Sequence, residues 1–120
     1  IDYDSWRVAL LNYTADYLPE KIDQMQKHSE TDEVFVLLAG HCILFLGEGR
    51  ESVAQVHAVD MELYKLYNVK RGVWHSHTFS RDAKILIVEN CNTTLENSPF
   101  VDLSESQRRE VVELTKKLWE

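Results

Sequence analysis

The chain places short runs of strand-forming residues between closely spaced turn signals, and this pattern limits the folds that it can adopt. Residues 33–38 and 42–46 are rich in β-formers and flank the tight connection Ala39-Gly40-His41, which predicts a hairpin. Strands separated this closely favour a sandwich or barrel over alternating strands and helices. The predicted strands cover residues 6–13, 22–28, 33–38, 42–46, 53–59, 62–69 and 83–89, with a turn at 47–49.

The last part of the chain changes to a helical period. Ser104 and Gln107 form a capping-box pattern, in which each side chain bonds the backbone N–H of the other residue. Val111 and Leu114 then recur at helical spacing, so residues 104–119 are predicted to form one helix. We expect its apolar stripe to pack on the outside of the sheet.

The size, charge and cysteine content exclude several classes of protein. A chain of 120 residues fits one domain, residues 1–120, with a core barrel over about residues 6–95. Its net charge of −7 and its lack of a Lys/Arg cluster argue against nucleic-acid binding. No stretch reaches the ~20 apolar residues of a membrane span, and Cys42 and Cys91 are too few for a disulfide framework. We therefore expect a cytoplasmic protein that binds neither nucleic acid nor membrane.

The feature that says most about function is the spacing of four potential metal ligands. Gln26 and His28 lie two residues apart, so in a strand they would share one face. Glu33 follows after a short turn, and His75 comes from a distant strand, which a closed barrel permits. Two imidazoles, a carboxylate and an amide oxygen suit a divalent cation such as Zn, Mn, Fe or Ni. The predicted metal ligands are therefore Gln26, His28, Glu33 and His75.

The same residues, taken together with two glycines, resemble the sequence motifs of the cupin superfamily. The first cupin motif has two His residues two apart, then a Glu and a Gly; His28, Glu33 and Gly40 match it. The second motif has Pro-x-Gly-x-x-His followed by an Asn; Gly72 and His75 match it. The resemblance implies an all-β jelly-roll barrel, the cupin double-stranded β-helix, followed here by one C-terminal helix. It also implies a homodimer, because single-domain cupins commonly pair.

The chain departs from the cupin motifs at three positions. Gln26 stands where the family has its first His, Lys70 replaces the Pro, and Phe79 replaces the Asn. A Gln, two His and a Glu are also the zinc ligands of the cupin phosphomannose isomerases, and this likeness points to a carbohydrate substrate. The resemblance covers roughly residues 20–95 of the chain.

Two further side chains are candidates for proton transfer at a metal-bound substrate. His77 lies two residues after His75 and would share its strand face, and Glu89 ends an apolar run. If Ile85 and Ile87 face the barrel interior, Glu89 faces it too. The simpler interpretation gives His77 a solvated or supporting role and leaves Glu89 in water. His77 and Glu89 are the predicted catalytic residues.

These residues support one main functional hypothesis and three alternatives. The main hypothesis is a metal-dependent isomerase or epimerase acting on a sugar or hydroxy acid, because open metal positions can bind and polarise a hydroxy-carbonyl group. One alternative is a non-catalytic cupin that senses a metabolite or metal, and another is an iron-dependent dioxygenase with the same ligands. The last is a metal-free cupin kept for protein interaction, which the replacement of His by Gln26 favours.

Overall fold

The computed structural model describes all 120 residues of the chain, which form ten β-strands, one α-helix and three single-turn 3-10 helices. The α-helix is too short and too polar to cross a membrane. The strands are β1 Asp2–Tyr3, β2 Trp6–Asn12, β3 Gln24–Gln26, β4 Glu33–Ala39, β5 Cys42–Glu48, β6 Gln55–Asp60, β7 Leu66–Val69, β8 Trp74–Phe79, β9 Lys84–Asn90 and β10 Phe100–Asp102. The helices are α1 Glu105–Trp119 and the 3-10 turns Ala15–Tyr17, Pro19–Lys21 and Leu95–Asn97.

The strands form two five-stranded antiparallel sheets. The first sheet has the order β1-β2-β9-β4-β7, and the second has the order β10-β3-β8-β5-β6. In the first sheet β9 lies between β2 and β4, where Val88 pairs with Val8 on one side and Val34 on the other. Most neighbouring strands are distant in sequence, which is typical of a jelly roll. The predicted all-β architecture with one C-terminal helix is confirmed.

The main hydrophobic core lies between the two sheets. Alternation along β4 directs Phe35 and Leu37 inward, and alternation along β9 does the same for Ile85 and Ile87. The facing strand β5 contributes Cys42 and Leu44 from the second sheet. Burial of this apolar surface holds the two sheets together and fixes the register of the strands that also carry the polar site.

A second hydrophobic core lies on the outer face of the second sheet, under α1. Ile43 and Phe45 of β5 alternate with the inward residues and pack against Val111 of the helix. The helix begins as predicted: Ser104 Oγ accepts from Gln107 N at 3.1 Å, and Gln107 Oε1 accepts from Ser104 N at 2.9 Å. The expectation that the apolar stripe of the helix covers the outside of a sheet is confirmed.

The predicted hairpin of residues 33–38 and 42–46 is wrong. β4 pairs with β7 and β9, whereas β5 pairs with β6 and β8, so the chain crosses from one sheet to the other between them. The crossing passes through Gly40, which has a φ of +71°. A side chain there would begin 2.8 Å from the backbone Cα of Ala83 and would have to adopt this left-handed φ, so glycine is required at this corner. Local sequence identifies a tight connection but not whether its two strands share a sheet.

Other strand boundaries also differ from the prediction. β3 is only three residues long, because Pro19 starts a 3-10 turn before it and the chain leaves the sheet after Gln26. β5 continues through Gly47 to Glu48, where a turn was predicted. Gly47 packs closely, since an added Cβ would lie 3.0 Å from Trp74 Cβ and 2.9 Å from Met25 Sδ, so these neighbours would have to shift.

Candidate metal and substrate site

Three side chains from separate segments converge at one end of the barrel interior. His28 lies in the loop after β3, Glu33 begins β4, and His75 lies in β8. Glu33 Oε1 is 3.0 Å from His28 Nε2 and 3.2 Å from His75 Nε2. All three residues are buried, and their potential ligand atoms lie within 4.8 Å of one another. This group has the donor atoms and the spacing to hold a metal ion.

The buried Glu33 carboxylate lies between two imidazole rings, and a positive charge is needed beside it to offset its own. His75 donates its Nδ1–H to Val73 O at 3.1 Å, so the Nε2 of the neutral ring turns its lone pair toward Glu33. Burial lowers the pKa of His28, but the Glu33 carboxylate outweighs this effect and raises that pKa above its ordinary value. Burial also disfavours the ionised Glu33, yet His28 and His75, whose Nε2–H groups donate to it when the rings are protonated, hold its pKa well below the usual range. Protons on the rings or a metal ion would each supply the charge.

The remaining predicted ligand, Gln26, lies beside this trio. It pairs in register with His75, the one paired position between β3 and β8. Its side-chain Nε2 donates to Ser98 O at 3.0 Å, which leaves the amide oxygen as the atom that a metal or substrate can use. Gln26 also lines the cavity in front of the trio.

Glu89 faces the barrel interior, on the same side of β9 as Ile85 and Ile87. Arg7 Nη1 donates to Glu89 Oε2 at 3.1 Å and orients the carboxyl group. Burial and the neighbouring Glu33 raise the pKa of Glu89 to about 7. Arg7 was not predicted from the sequence; the available signal was an arginine inside a mostly apolar predicted strand, with the same parity as Ala9 and Leu11.

His77 also lies on the cavity wall, among aromatic rings. Its ring stacks on Phe79 with centroids 4.6 Å apart and meets the edge of Tyr17 at 4.7 Å. Burial, and next the proximity of His75, lower the pKa of His77 to about 4, so its ring is neutral near neutral pH. The Nδ1 atom of His77 is buried and has no protein hydrogen-bond partner.

A cavity of about 420 Å³ opens in front of these groups. Its volume suits a small metabolite. A smaller space of about 300 Å³ adjoins it and shares Tyr17, Gln26, His75 and His77. No lysine or arginine lines the larger cavity, whereas Glu33 and Glu89 both do. Its other lining residues are Leu11, Asn12, Thr14, Tyr17, Gln26, His28, His75, His77, Phe79, Ile87, Thr93, Thr94, Leu95 and Ser98.

Several of these lining residues were not predicted from the sequence. Thr14 and Tyr17 come from the segment after β2, and Thr94 and Ser98 come from the segment after β9. The first segment is irregular apart from two 3-10 turns and the second apart from one, so no periodic pattern marks their side chains as inward. Their place at the cavity follows only from the packing of the two sheets.

Comparison with known proteins identifies the fold. No protein-family model matches the chain, and no curated protein matches it. Among solved structures, a Streptomyces PAC13 variant with bound uridine is similar, with a TM-score of 0.62 and 13% identity, over 88% of this chain and 77% of that chain. A 3,4-ketoisomerase from Helicobacter canadensis gives a TM-score of 0.61 and 16% identity, over 88% and 74%.

A protein with a cupin domain is also similar. A cupin-2 domain protein from Shewanella frigidimarina has a TM-score of 0.55 and 17% identity, over 75% of this chain and 74% of that chain. The chain therefore has the cupin fold, which agrees with the resemblance of its two sequence motifs. At these identities the likeness concerns the fold alone, since one fold carries many activities.

Proposed function

We propose that this small cupin is a metal-dependent enzyme that rearranges a small, neutral, hydroxylated substrate in the manner of a sugar isomerase or epimerase. The observation that carries the proposal is the convergence of His28, Glu33 and His75 on one point at the wall of a cavity. A buried carboxylate between two imidazoles is costly to keep in a barrel interior unless a cation offsets its charge.

His28 Nε2, Glu33 and His75 Nε2 would hold the metal, with the Gln26 amide oxygen as the fourth ligand. The donor set of nitrogen and oxygen atoms fits Zn, Mn, Fe or Ni. When bound, such an ion supplies Lewis acidity that polarises a carbonyl group. Because the trio is buried and reaches open space only at the cavity, a substrate would approach the metal from the cavity.

Two further residues would handle protons and hydrogen bonds. Glu89 lines the cavity, and the guanidinium of Arg7 holds its carboxyl group, so Glu89 is the proposed group that moves a proton between substrate carbons. His77 keeps a neutral ring on the cavity wall, and this ring would hydrogen-bond a substrate hydroxyl.

The charge of the cavity supports a neutral substrate. Two carboxyl groups and no lysine or arginine line the larger cavity, so a phosphate or carboxylate on a substrate held there would find no such partner. The adjoining smaller space has Lys21 on its wall, together with Asp16 and Asp23. Neutral hydroxyl, amide and imidazole groups around the wall suit a polyol or sugar. The fold also occurs in a nucleoside dehydratase, Pac13, and in a 3,4-ketoisomerase, and this occurrence supports a small-metabolite enzyme.

The first test is the metal content of the purified protein by elemental mass spectrometry. We expect about one metal ion per chain and its loss in the His28→Ala variant. His57→Ala is the matched control, because His57 is exposed on the edge strand β6, hydrogen-bonds Glu48 and does not line the cavity. A wild-type protein that takes up no metal even on reconstitution would contradict the proposal.

The second test is turnover by the metal-loaded protein. It would be incubated with neutral aldoses and ketoses and with the corresponding uronates, and the products would be followed by NMR. We expect conversion of a neutral sugar and not of its uronate. A ligand that binds tightly and is recovered unchanged would instead indicate a binding protein.

We also propose that two copies pair through the outer face of the first sheet. Alternation places Leu10, Val36, Leu66, Leu86 and Val88 on this face, where Leu10 is 55% exposed and Leu66 is 77% exposed. The only charged side chain that β2, β9, β4 and β7 place there is Lys84, although 28% of the chain is charged. No helix covers this face, in contrast to the outer face of the second sheet.

A second copy is the occupant that fits this face best. Four strands about 4.8 Å apart, with about 3.3 Å per residue, give roughly 400 Å² in plan, which is less than the ~600 Å² that each partner buries in a small stable dimer, so residues beside the four strands would have to contribute. The exposed Tyr3 and Trp6 pair extends it. A copy of the same sheet has the same twist, and two nearly uncharged faces can meet despite the net charge of −7.

The dimer proposal is tested by light scattering coupled to size-exclusion chromatography. Wild-type protein should run as a dimer, and Leu10→Lys or Leu66→Lys should run as a monomer. Leu118→Lys, which changes an exposed leucine of α1 on the opposite side, should remain dimeric. A monomeric wild type, or dimers in all variants, would contradict the proposal.

A further inference from the structure

A row of paired residues crosses the inner face of the second sheet, from the proposed metal site to the edge of the sheet. Gln26 pairs with His75 on one side and with Phe100 on the other. Residues that pair directly across antiparallel strands direct their side chains to the same face of the sheet. Phe100, on the edge strand β10, therefore shares the inner face with the two proposed ligands. With strands about 4.8 Å apart, its backbone lies about 10 Å from that of His75.

The smaller space of about 300 Å³ lies along this row, beside the larger cavity. Gln26 and His75 border both spaces, whereas Phe100 and Gln24 border only the smaller one. The two spaces therefore form one cleft, which runs from the metal site to the β10 edge. A single sugar ring at the metal site would occupy the larger cavity and leave the smaller space to water.

The opposite wall of the smaller space is the segment after β2, and this segment is held against β8. Thr78 Oγ1 donates to Tyr17 O at 2.7 Å. The Tyr17 ring meets the ring of His77 edge-on, with centroids 4.7 Å apart. Because these contacts exist without a ligand, the cleft is already formed, and a ligand would spend little of its binding energy on ordering this wall.

The smaller space combines an exposed aromatic ring with free polar groups. Phe100 is 51% exposed. The side chains that join it at the wall without an ion pair or hydrogen bond inside the chain are Asp16, Lys21, Asp23 and Gln24. A pyranose ring fits such a surface, because its C–H face packs on an aromatic ring while its hydroxyls donate to carboxylates and accept from an ammonium or amide group. One ammonium beside two carboxylates suits a neutral ring better than a phosphate.

We propose that the smaller space is a second sugar subsite and that the substrate is a reducing disaccharide. Its reducing-end sugar lies at the metal site, and its second ring packs on Phe100. The inference rests on the proposed function, because the reducing-end carbonyl is the group that a metal ion would polarise. The glycosidic bond stays intact, and the second ring contributes binding only. Two linked pyranose rings span a length similar to the separation of His75 and Phe100.

The test compares a panel of reducing disaccharides with their own reducing-end monosaccharides, by calorimetric titration of the purified protein. We expect at least one disaccharide to bind about 10-fold more tightly than its monosaccharide, because its second ring covers the exposed part of Phe100. Phe100→Ala should abolish this advantage, and Phe100→Tyr, which keeps an aromatic ring, should retain it. Tyr64→Ala is the control, since it removes an exposed ring outside both spaces. A panel without any such advantage, or an equal advantage in Phe100→Ala, would overturn the inference.

An NMR measurement on the complex locates the second ring directly. Intermolecular NOEs should join the Phe100 ring protons to the non-reducing sugar of the disaccharide, and NOEs from Phe100 to the reducing-end sugar alone would overturn the inference. Turnover separates this inference from the proposed function. A disaccharide that binds over Phe100 but is returned unchanged by the metal-loaded protein would contradict the proposed function and leave the subsite in place. Conversion of monosaccharides without any gain from a second ring would do the reverse.

Discussion

The two ends of the barrel interior are built from the same strands, but one end is apolar and the other is polar. Moving along β4, the inward side chains change from Leu37 and Phe35 to Glu33; moving along β9, they change from Ile85 to Glu89. One end is a close-packed apolar core, and the other holds buried charges around a cavity. Buried charges cost stability unless they are offset, so the apolar end must stabilise the fold in which the polar end is held.

The largest expected effect on stability belongs to the apolar end. Ile85 is fully buried between the sheets and does not line the cavity. Ile85→Ala should lower the free energy of unfolding by about 2–5 kcal/mol, because it removes apolar contacts and leaves a void. Chemical denaturation of metal-free protein measures this change.

An exposed leucine provides the control for the Ile85→Ala measurement. Leu63 is 49% exposed, and Leu63→Ala should change the free energy of unfolding by no more than about 0.5 kcal/mol. If Ile85→Ala were equally mild, the apolar end would not be the stabilising half of the interior.

The next effect belongs to the polar end and depends on metal. Zinc at a hundred times its dissociation constant should raise the free energy of unfolding of the wild type by about 2.7 kcal/mol. Glu33→Gln keeps the shape of the side chain but removes the charge, so this gain should disappear. Thermal melting with and without zinc measures both. Equal zinc stabilisation of wild type and Glu33→Gln would mean that Glu33 does not bind the metal.

The fold could be predicted because its signals are local or repeated. Turn residues, two-residue alternation and the capping box of α1 each reflect the conformation of a few neighbouring residues, and each predicted strand and the helix are present in the structure, although β5 continues through the turn predicted at Gly47. The pairing of β4 and β5 was missed because the sheet that a strand joins depends on distant partners such as β9. In the sequence alone, the crossing from the first sheet to the second at Gly40 looks like an ordinary hairpin turn.

The site could be predicted only in part, for a similar reason. The motif spacing identified His28, Glu33 and His75, and the structure brings them together. The expectation that Gln26 and His28 share a strand face does not apply, since β3 ends at Gln26. Arg7 and Ser98 reach the site through strand order and loop packing, which no pattern within one segment encodes.

A smaller effect at the polar end is a pH dependence caused by Glu89. Folding raises the pKa of this carboxyl from 4.5 to about 7, so the folded state holds the proton more tightly than the unfolded state. Stability is then lost as the pH rises from 4.5 to 7. Glu89→Gln should lack this loss and gain about 1–3 kcal/mol over wild type across that interval.

Denaturation of the metal-free protein at a series of pH values measures this difference. The two proteins should have similar pH slopes below the interval and diverge within it. A constant offset at every pH would mean that Glu89 titrates normally and is not held between Glu33 and Arg7 in the way described.

The smallest expected effect is on chemical reactivity and reports whether the apolar end is closed. Cys42 is fully buried there, and burial, with a smaller contribution from the charge of Asp60, raises the pKa of its thiol to about 12. Since the thiolate is the reactive form, Cys42 should resist alkylation in the folded protein, whereas the partly exposed Cys91 should react. Mass spectrometry after labelling should find one modified thiol in native protein and two in denaturant. Glu33→Gln should leave Cys42 protected, while Ile85→Ala should speed its labelling, because only the second change loosens the end of the interior in which Cys42 lies.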